Sequence, residues 1–294
     1  MLPVLLTCWQ YKHIIKLDNN FIHERKIRMQ VRWEYLTPPD FEKLAREEKL
    51  CILPIGSLER HGEHMPFGTD ALVAHEIACR AARMEPCVVF PPYWFGQVHE
   101  AACFSGTVNF PADFTLKMLE MLLDQIASNG FEKILIVNGH GGNSGMLDYY
   151  IMSHSDRKVP YTLYTTFLMD GSWTNEISHI WDNPDGGHAD ECETSMMMAT
   201  VPGTVRLEYQ RFAEPILPIH QLTALENVKT GMWWYDLYPE HVSGTPSAAT
   251  QEKGEITLNA AAEELVKRIR AVKQDSITPK LQQAFHDRHD RLGK

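Results

Sequence analysis

Short apolar runs alternate along this chain with longer segments of helical spacing. After Pro38 and Pro39, FEKLAREE carries apolar residues at helical intervals, which sets a helix start within 37–40. CILPI (51–55) reads as a short buried strand, ALVAHEIACRAARM (71–84) as a helix, and CVVFPPYW as a strand that stops at Pro91. Apolar positions recur at helical spacing over 114–128 until Gly130 ends the run. KILIV (133–137) is another strand, 145–155 another helix, and 161–167 a further strand. One more clear helix lies near 252–272. Between them, 203–244 is rich in proline and aromatic residues and has no clean period. Strands alternating with helices in this way predict an α/β fold of three layers, a mostly parallel central sheet with helices on both faces.

No repeat or linker divides the pattern, so 29–275 is expected as one domain and 276–294 as a C-terminal tail. MQVRWEYLTPPDFEKLAREE, from Met29, has the strand, turn and helix of a domain start. The 28 residues before it lack the basic region, long apolar run and cleavage site of a secretory signal, and are expected as an N-terminal extension or a peripheral arm. The aperiodic 203–244 is expected beside a functional site or at a subunit contact.

Composition changes this picture little. The 294 residues are 44% hydrophobic and 22% charged, and the formal net charge of -10 argues against a phosphate-backbone binder. Six cysteines without a CxxC pair read as reduced thiols of a cytoplasmic protein, and no apolar segment is long enough to cross a bilayer. The expected partner is therefore a small molecule, with no role for nucleic acid or membrane.

The candidate chemistry falls at strand ends, where open parallel sheets bind ligands. Behind CILPI, the stretch IGSLERHGEHMPFGTD holds Glu59, His61, Glu63, His64 and Asp70. Glu59 and His61 are two apart, so an extended backbone points both to one side. A carboxylate beside an imidazole suits zinc, manganese or iron. Asp70 could bridge two such ions through its two oxygens, or cap the helix that follows. NGHGGN, behind KILIV, has neither the lysine of a phosphate loop nor the dinucleotide fingerprint; it can hold His140 on a tight turn at a strand tip. In GGHADECETS, His188 is a candidate for proton transfer or a supporting histidine. On an ideal helix Glu191 shares the face of His188 and Glu193 does not; a loop position for His188 removes that preference.

Together, LERHGEHMPFGTD, VNGHGGN and GHADECETS closely resemble the three signature segments of the creatininase (creatinine amidohydrolase) family, in order, over a stretch from about Met29 to the C-terminal helix. The resemblance implies a creatininase-like α/β fold, a homohexamer, and two divalent ions per subunit, zinc, manganese or iron. By motif, Glu59 and His61 correspond to ligands of different ions, Asp70 to the bridge, His140 to the second-loop ligand, and His188 to the proton-transfer histidine. Glu193 matches the third-segment carboxylate and is the choice for the remaining ligand, with Glu191 as fallback. Glu63, His64, His99 and Trp181 are expected behind the ligands or facing substrate.

Two departures bear on substrate. Creatininase itself has a Tyr-Glu pair, its glutamate a metal ligand, where this chain has Gly141 and Gly142. The tryptophan that clamps creatinine has no aligned match, Trp181 being out of register. The expected activity is accordingly a metal-dependent hydrolase other than creatininase, cleaving a carbon–nitrogen amide bond of a small polar substrate. The alternatives are hydrolytic opening of a carbon–carbon bond in a cyclic keto-inositol or keto-sugar, and a metal-stabilised scaffold without activity.

Overall fold

The computed structural model describes residues 29–211 and 214–292; the expected N-terminal extension lies outside the described residues. Four strands form one parallel sheet. β1 (Leu50–Ile55) lies between β2 (Val88–Val89) and β3 (Lys133–Asn138), and β4 (Thr162–Phe167) pairs with the far side of β3.

Each strand sends alternate side chains to opposite faces, so β1 and β3 feed two cores. Leu50 and Ile52, with Leu135 and Val137, pack beneath α2 (Thr69–Met84), α6 (Glu191–Thr200) and α8 (Gln251–Gln274). Cys51, Leu53 and Ile55, with Ile134 and Ile136, face α1 (Pro38–Glu48), α3 (Ala112–Ser128) and α4 (Asn143–His154). Burial on both faces is why these strands read as unbroken apolar runs. Each such fully buried Leu or Ile contributes roughly 1.5–3 kcal/mol over leaving it exposed. The result is the three-layer α/β architecture that the alternation predicts.

Three local differences matter. The strand after Cys87 keeps only Val88 and Val89, since Pro91 and Pro92 lack the N–H groups a ladder needs. Helix α2 begins at Thr69, with Gly68 as its N-cap and no side-chain cap bond, so Asp70 sits inside the first turn and does not cap it. The segment expected as a tail contains α9 (Thr278–Arg291), held on β4 by Gln282, whose side chain donates to the Tyr161 carbonyl at 3.1 Å. Before α6 the chain forms a short helix, α5 (Ser172–Glu176), and the aperiodic 203–244 has little regular structure beyond a 3-10 turn (Leu207–Tyr209) and the short helix α7 (Trp233–Leu237). No helix is long and apolar enough to cross a membrane among the described residues. The five cysteines described are free.

Register positions the site. Ile55 pairs with Asn138, so β1 and β3 end side by side and their following loops leave the sheet together. Gly56 and Gly139 let the start of α2 press onto those ends. A Cβ at Gly56 would lie 2.3 Å from Ala71 N, and one at Gly139 would lie 2.7 Å from the Asp70 carbonyl oxygen.

Candidate metal centre

The first loop behind β1 brings Glu59 and His61, the first turn of α2 brings Asp70, and the loop behind β3 brings His140. Asn138 shapes that second loop, its Oδ1 accepting from His140 N at 3.1 Å and Asn143 Nδ2 at 3.2 Å. The third segment adds His188 and Glu193. His188 lies in a loop bridged to Ser243, and Asp190 caps α6 by accepting from Glu193 N at 2.9 Å. Because His188 precedes the helix, the helical-face argument for Glu191 does not apply.

Around Asp70 the donor atoms converge. His61 Nε2 lies 2.9 Å from Asp70 Oδ1 and 3.7 Å from Glu193 Oε2. On the other side, His140 Nδ1 lies 3.0 Å from Glu59 Oε2 and 3.3 Å from Asp70 Oδ2. Ser57 Oγ donates to Asp70 Oδ2 at 2.7 Å and fixes the carboxylate plane. Two groups follow, Glu59–Asp70–His140 and His61–Asp70–Glu193, each with one ligand atom per residue and all of those atoms within 4.8 Å of one another. They share Asp70. A third such group, Glu59–His61–His188, overlaps both.

The residues fit divalent cations. Glu59 Oε2 and His61 Nε2 are buried and complete no hydrogen bond, although partners stand about 3 Å away. Atoms that approach without donor geometry point at a shared space between them. Electrostatics agrees. Burial disfavours charge on His61, yet Asp70, Glu193 and Glu59 outweigh it and hold its pKa at about 10. Burial likewise opposes charge on His140, and Glu59 and Asp70 still hold it well above the ordinary imidazole value. Burial pushes Glu193 up to about 8, with Asp190 and Asp70 adding to the push and His61 opposing it. A buried pocket that protonates imidazoles and resists a further carboxylate charge has a surplus of negative charge, which metal cations satisfy.

Other expected site residues make their contacts elsewhere. Glu63 turns to Arg60 and Arg211. His64 is buried and ties the first loop to α6, its Nε2 2.9 Å from Thr194 Oγ1. His99 accepts from Asn109 Nδ2 at 2.9 Å, away from the cluster. Glu191 clamps Asn183 N at 2.8 Å and pairs with Lys253, holding the loop before His188 against α8. No hydrogen bond or ring contact joins the Trp181 side chain to the cluster; Trp234 stands there instead, its ring 5.7 Å from that of His188.

Two further residues reach the cluster without a sequence signal. His241 Nε2 lies 2.7 Å from Glu59 Oε1. Glu100 Oε1 lies 3.2 Å from His140 Nε2, behind the ring face that meets Glu59 and Asp70. Gly142 makes room for it, because a Cβ there would lie 1.8 Å from Glu100 Oε1. Glu100 is thus a carboxylate from another loop, placed to set the orientation of His140. Gly142→Ala is expected to displace Glu100 and weaken Mn2+ binding by about 10- to 100-fold in calorimetric titration; native affinity would show that Glu100 does not act through His140.

Known proteins resemble this chain in sequence and in fold. The chain is 24% identical to the 3-dehydro-scyllo-inosose hydrolase of Thermotoga maritima over 264 residues, covering 82% of this chain and 83% of that one. It is 23% identical to the creatinine amidohydrolase of Pseudomonas putida, over 80% of this chain and 94% of that enzyme. In three dimensions it is similar to a candidate creatinine amidohydrolase from Bacteroides fragilis, with a TM-score of 0.71 and 25% identity over 85% of this chain and 99% of that one. The family profile described as creatinine amidohydrolase matches residues 34–269, and with its fold and clustered ligand atoms the chain belongs to the creatininase family.

Proposed function

We propose that this chain is a metal-dependent hydrolase that opens a carbon–carbon bond in a small cyclic ketone of the keto-inositol or keto-sugar class. The observation that carries the reading is the likeness to an inosose hydrolase, spread over 82% of this chain. The site supports it, since Gly141 and Gly142 stand where creatininase has its Tyr-Glu pair and no hydrogen bond or ring contact joins Trp181 to the cluster.

In this reading Glu59, Asp70 and His140 would hold one ion, and His61, Asp70 and Glu193 the other. When bound, the ions would supply Lewis acidity toward a substrate carbonyl and lower the pKa of water. His188 handles the proton. Its Nε2 lies 3.0 Å from the Arg60 carbonyl oxygen, which can only accept, so Nε2 carries the hydrogen and Nδ1 keeps a lone pair. Water adds to one ring ketone, forming a carbon–oxygen bond while its proton passes to His188 Nδ1. The adjacent carbon–carbon bond then breaks, its electron pair is taken up by a second ring carbonyl as an enolate, and the departing carbon receives the proton from His188. The products are a carboxylic acid and a carbon–hydrogen bond. The family resemblance further implies zinc, manganese or iron as the ions and a homohexamer as the assembly, and cysteines without a CxxC pair favour a cytoplasmic setting.

A second reading, amide hydrolysis, is favoured by the likeness to a creatinine amidohydrolase over 94% of that enzyme's length. The same residues would serve, with the proton passing to a departing nitrogen. A substrate panel on Mn2+-loaded protein separates the two. Oxidised cyclitols and keto-sugars are expected to yield an open-chain acid, while cyclic amides and formamides are left intact. Turnover of amides alone overturns the carbon–carbon reading, and no turnover in a chain with both ions bound favours the scaffold.

A further inference from the structure

We propose that His241 is a positioning residue for the metal centre, holding Glu59 in place and joining the 233–244 segment to the site. The proposal rests on the metal reading above and is independent of which bond is cleaved.

His241 has φ +57°, in the left-handed region that a side chain with a Cβ seldom adopts. It is also buried, and both ring nitrogens are committed. Trp234 Nε1 donates to His241 Nδ1 at 2.9 Å. An indole N–H can only donate, so Nδ1 is the acceptor and Nε2 carries the hydrogen. That hydrogen is directed at Glu59 Oε1, 2.7 Å from Nε2. With Oε1 taken, Glu59 turns Oε2 toward His140 Nδ1 at 3.0 Å, the side on which it meets Asp70. The ring is held by its neighbours as well, with centroids 4.5 Å from His188 and 5.0 Å from Phe104. Glycine would adopt this backbone without strain, whereas the histidine keeps the strain and delivers a hydrogen bond to a candidate ligand. Strained residues held by their surroundings in this way gather at functional sites.

The consequence is a chain of contacts from α7 through Trp234 and His241 to Glu59. Its effect falls on the Glu59–Asp70–His140 group, since the His241 hydrogen bond within the cluster goes to Glu59 and no hydrogen bond or ion pair joins His241 to His61 or Glu193. Calorimetric titration of the metal-stripped full chain with Mn2+, alongside metal counting, reads this directly. His241→Gly relieves the backbone and deletes the donor. It is expected to weaken one of two ions by about 10- to 100-fold, the usual cost of losing an outer partner, while the other ion binds as in the native chain. His241→Gln, whose amide reaches about as far as Nε2, is expected to restore most of that affinity. Trp234→Phe keeps a ring but removes the N–H, and is expected to give a smaller loss at the same ion.

Native affinity for both ions in His241→Gly overturns the proposal. So does equal weakening of both ions without rescue by glutamine, which marks a purely structural role. If His241→Gly fails to fold, Trp234→Phe decides, and native affinity for both ions in that variant overturns it. A native chain that takes up no Mn2+ overturns the metal reading and this proposal together.

Discussion

Asp70→Ala is expected to strip the centre of both ions and to reduce hydrolysis to background. Asp70 is the one residue common to the two main groups, with Oδ1 facing His61 and Oδ2 facing His140. Removing it takes an oxygen from each group at once. It also removes a carboxylate that helps hold His61 at a pKa of about 10 and His140 above the imidazole range. The expected loss at each ion exceeds the roughly 10- to 100-fold that an outer partner costs. Asp70→Asn separates charge from shape, because it keeps the side-chain outline while losing the negative charge that two cations would share. Metal counting after exhaustive dialysis, with circular dichroism to confirm the fold, provides the check. Two retained ions in a folded Asp70→Ala chain would end the bridging assignment. Glu59→Ala differs in an informative way, since Glu59 belongs to only one of the two groups that share Asp70, and its first expected loss is a single ion.

Much of this architecture is legible in the chain because burial on both faces of a parallel sheet leaves an unmistakable apolar run. CILPI and KILIV are such runs, and the sites behind them are marked by abrupt polar clusters at strand ends. What the chain cannot display is register. Only the pairing of Ile55 with Asn138 brings the two loops together, and only the close approach allowed by Gly56 and Gly139 lowers Asp70 between them. Asp70, a residue type that suits a helix cap, lies inside the first turn of the helix instead, and Ser57, His61 and His140 face its two oxygens.

The hidden residues share a different cause. Glu100 is next to His99, which looks like the more chemical choice, yet a short turn sends His99 to Asn109 and Glu100 to His140. The absence of a glutamate at position 142 reads in the chain as a lost carboxylate. In space it is the opening through which another carboxylate enters. His241 is harder still, lying in a segment with no period and meeting Glu59 across 182 positions of sequence. Its left-handed backbone is a signal, but one that only coordinates reveal. The tryptophan beside the cluster follows the same pattern: Trp181 is close to the third motif in sequence, and Trp234 is close to it in space.

His188→Ala is expected to leave both ions bound while lowering turnover by roughly 100- to 10,000-fold, the range for loss of a positioned acid–base group. The geometry gives its two nitrogens different tasks. Nε2 is tied to the Arg60 carbonyl at 3.0 Å, and Nδ1 lies 3.9 Å from Glu193 Oε2 at the edge of the cluster. Burial lowers the pKa of His188 well below the ordinary imidazole value; Glu59 opposes this, while His61 and His241 add to it. The neutral imidazole, with a lone pair on Nδ1, is therefore the favoured form. A group that only held Arg60 in place could be replaced without a large cost to the chemical step, so turnover at saturating substrate is the measurement that distinguishes the roles. His188→Asn adds a second reading: its shorter amide can still occupy the cavity but cannot carry a proton between substrate and solvent. Turnover close to native in either variant would remove His188 from the chemistry. Loss of one ion would move it instead into the ligand set with Glu59 and His61, the third group that the geometry allows. Retained metal with collapsed turnover is the outcome expected of a residue that handles the proton and leaves the ions to its neighbours.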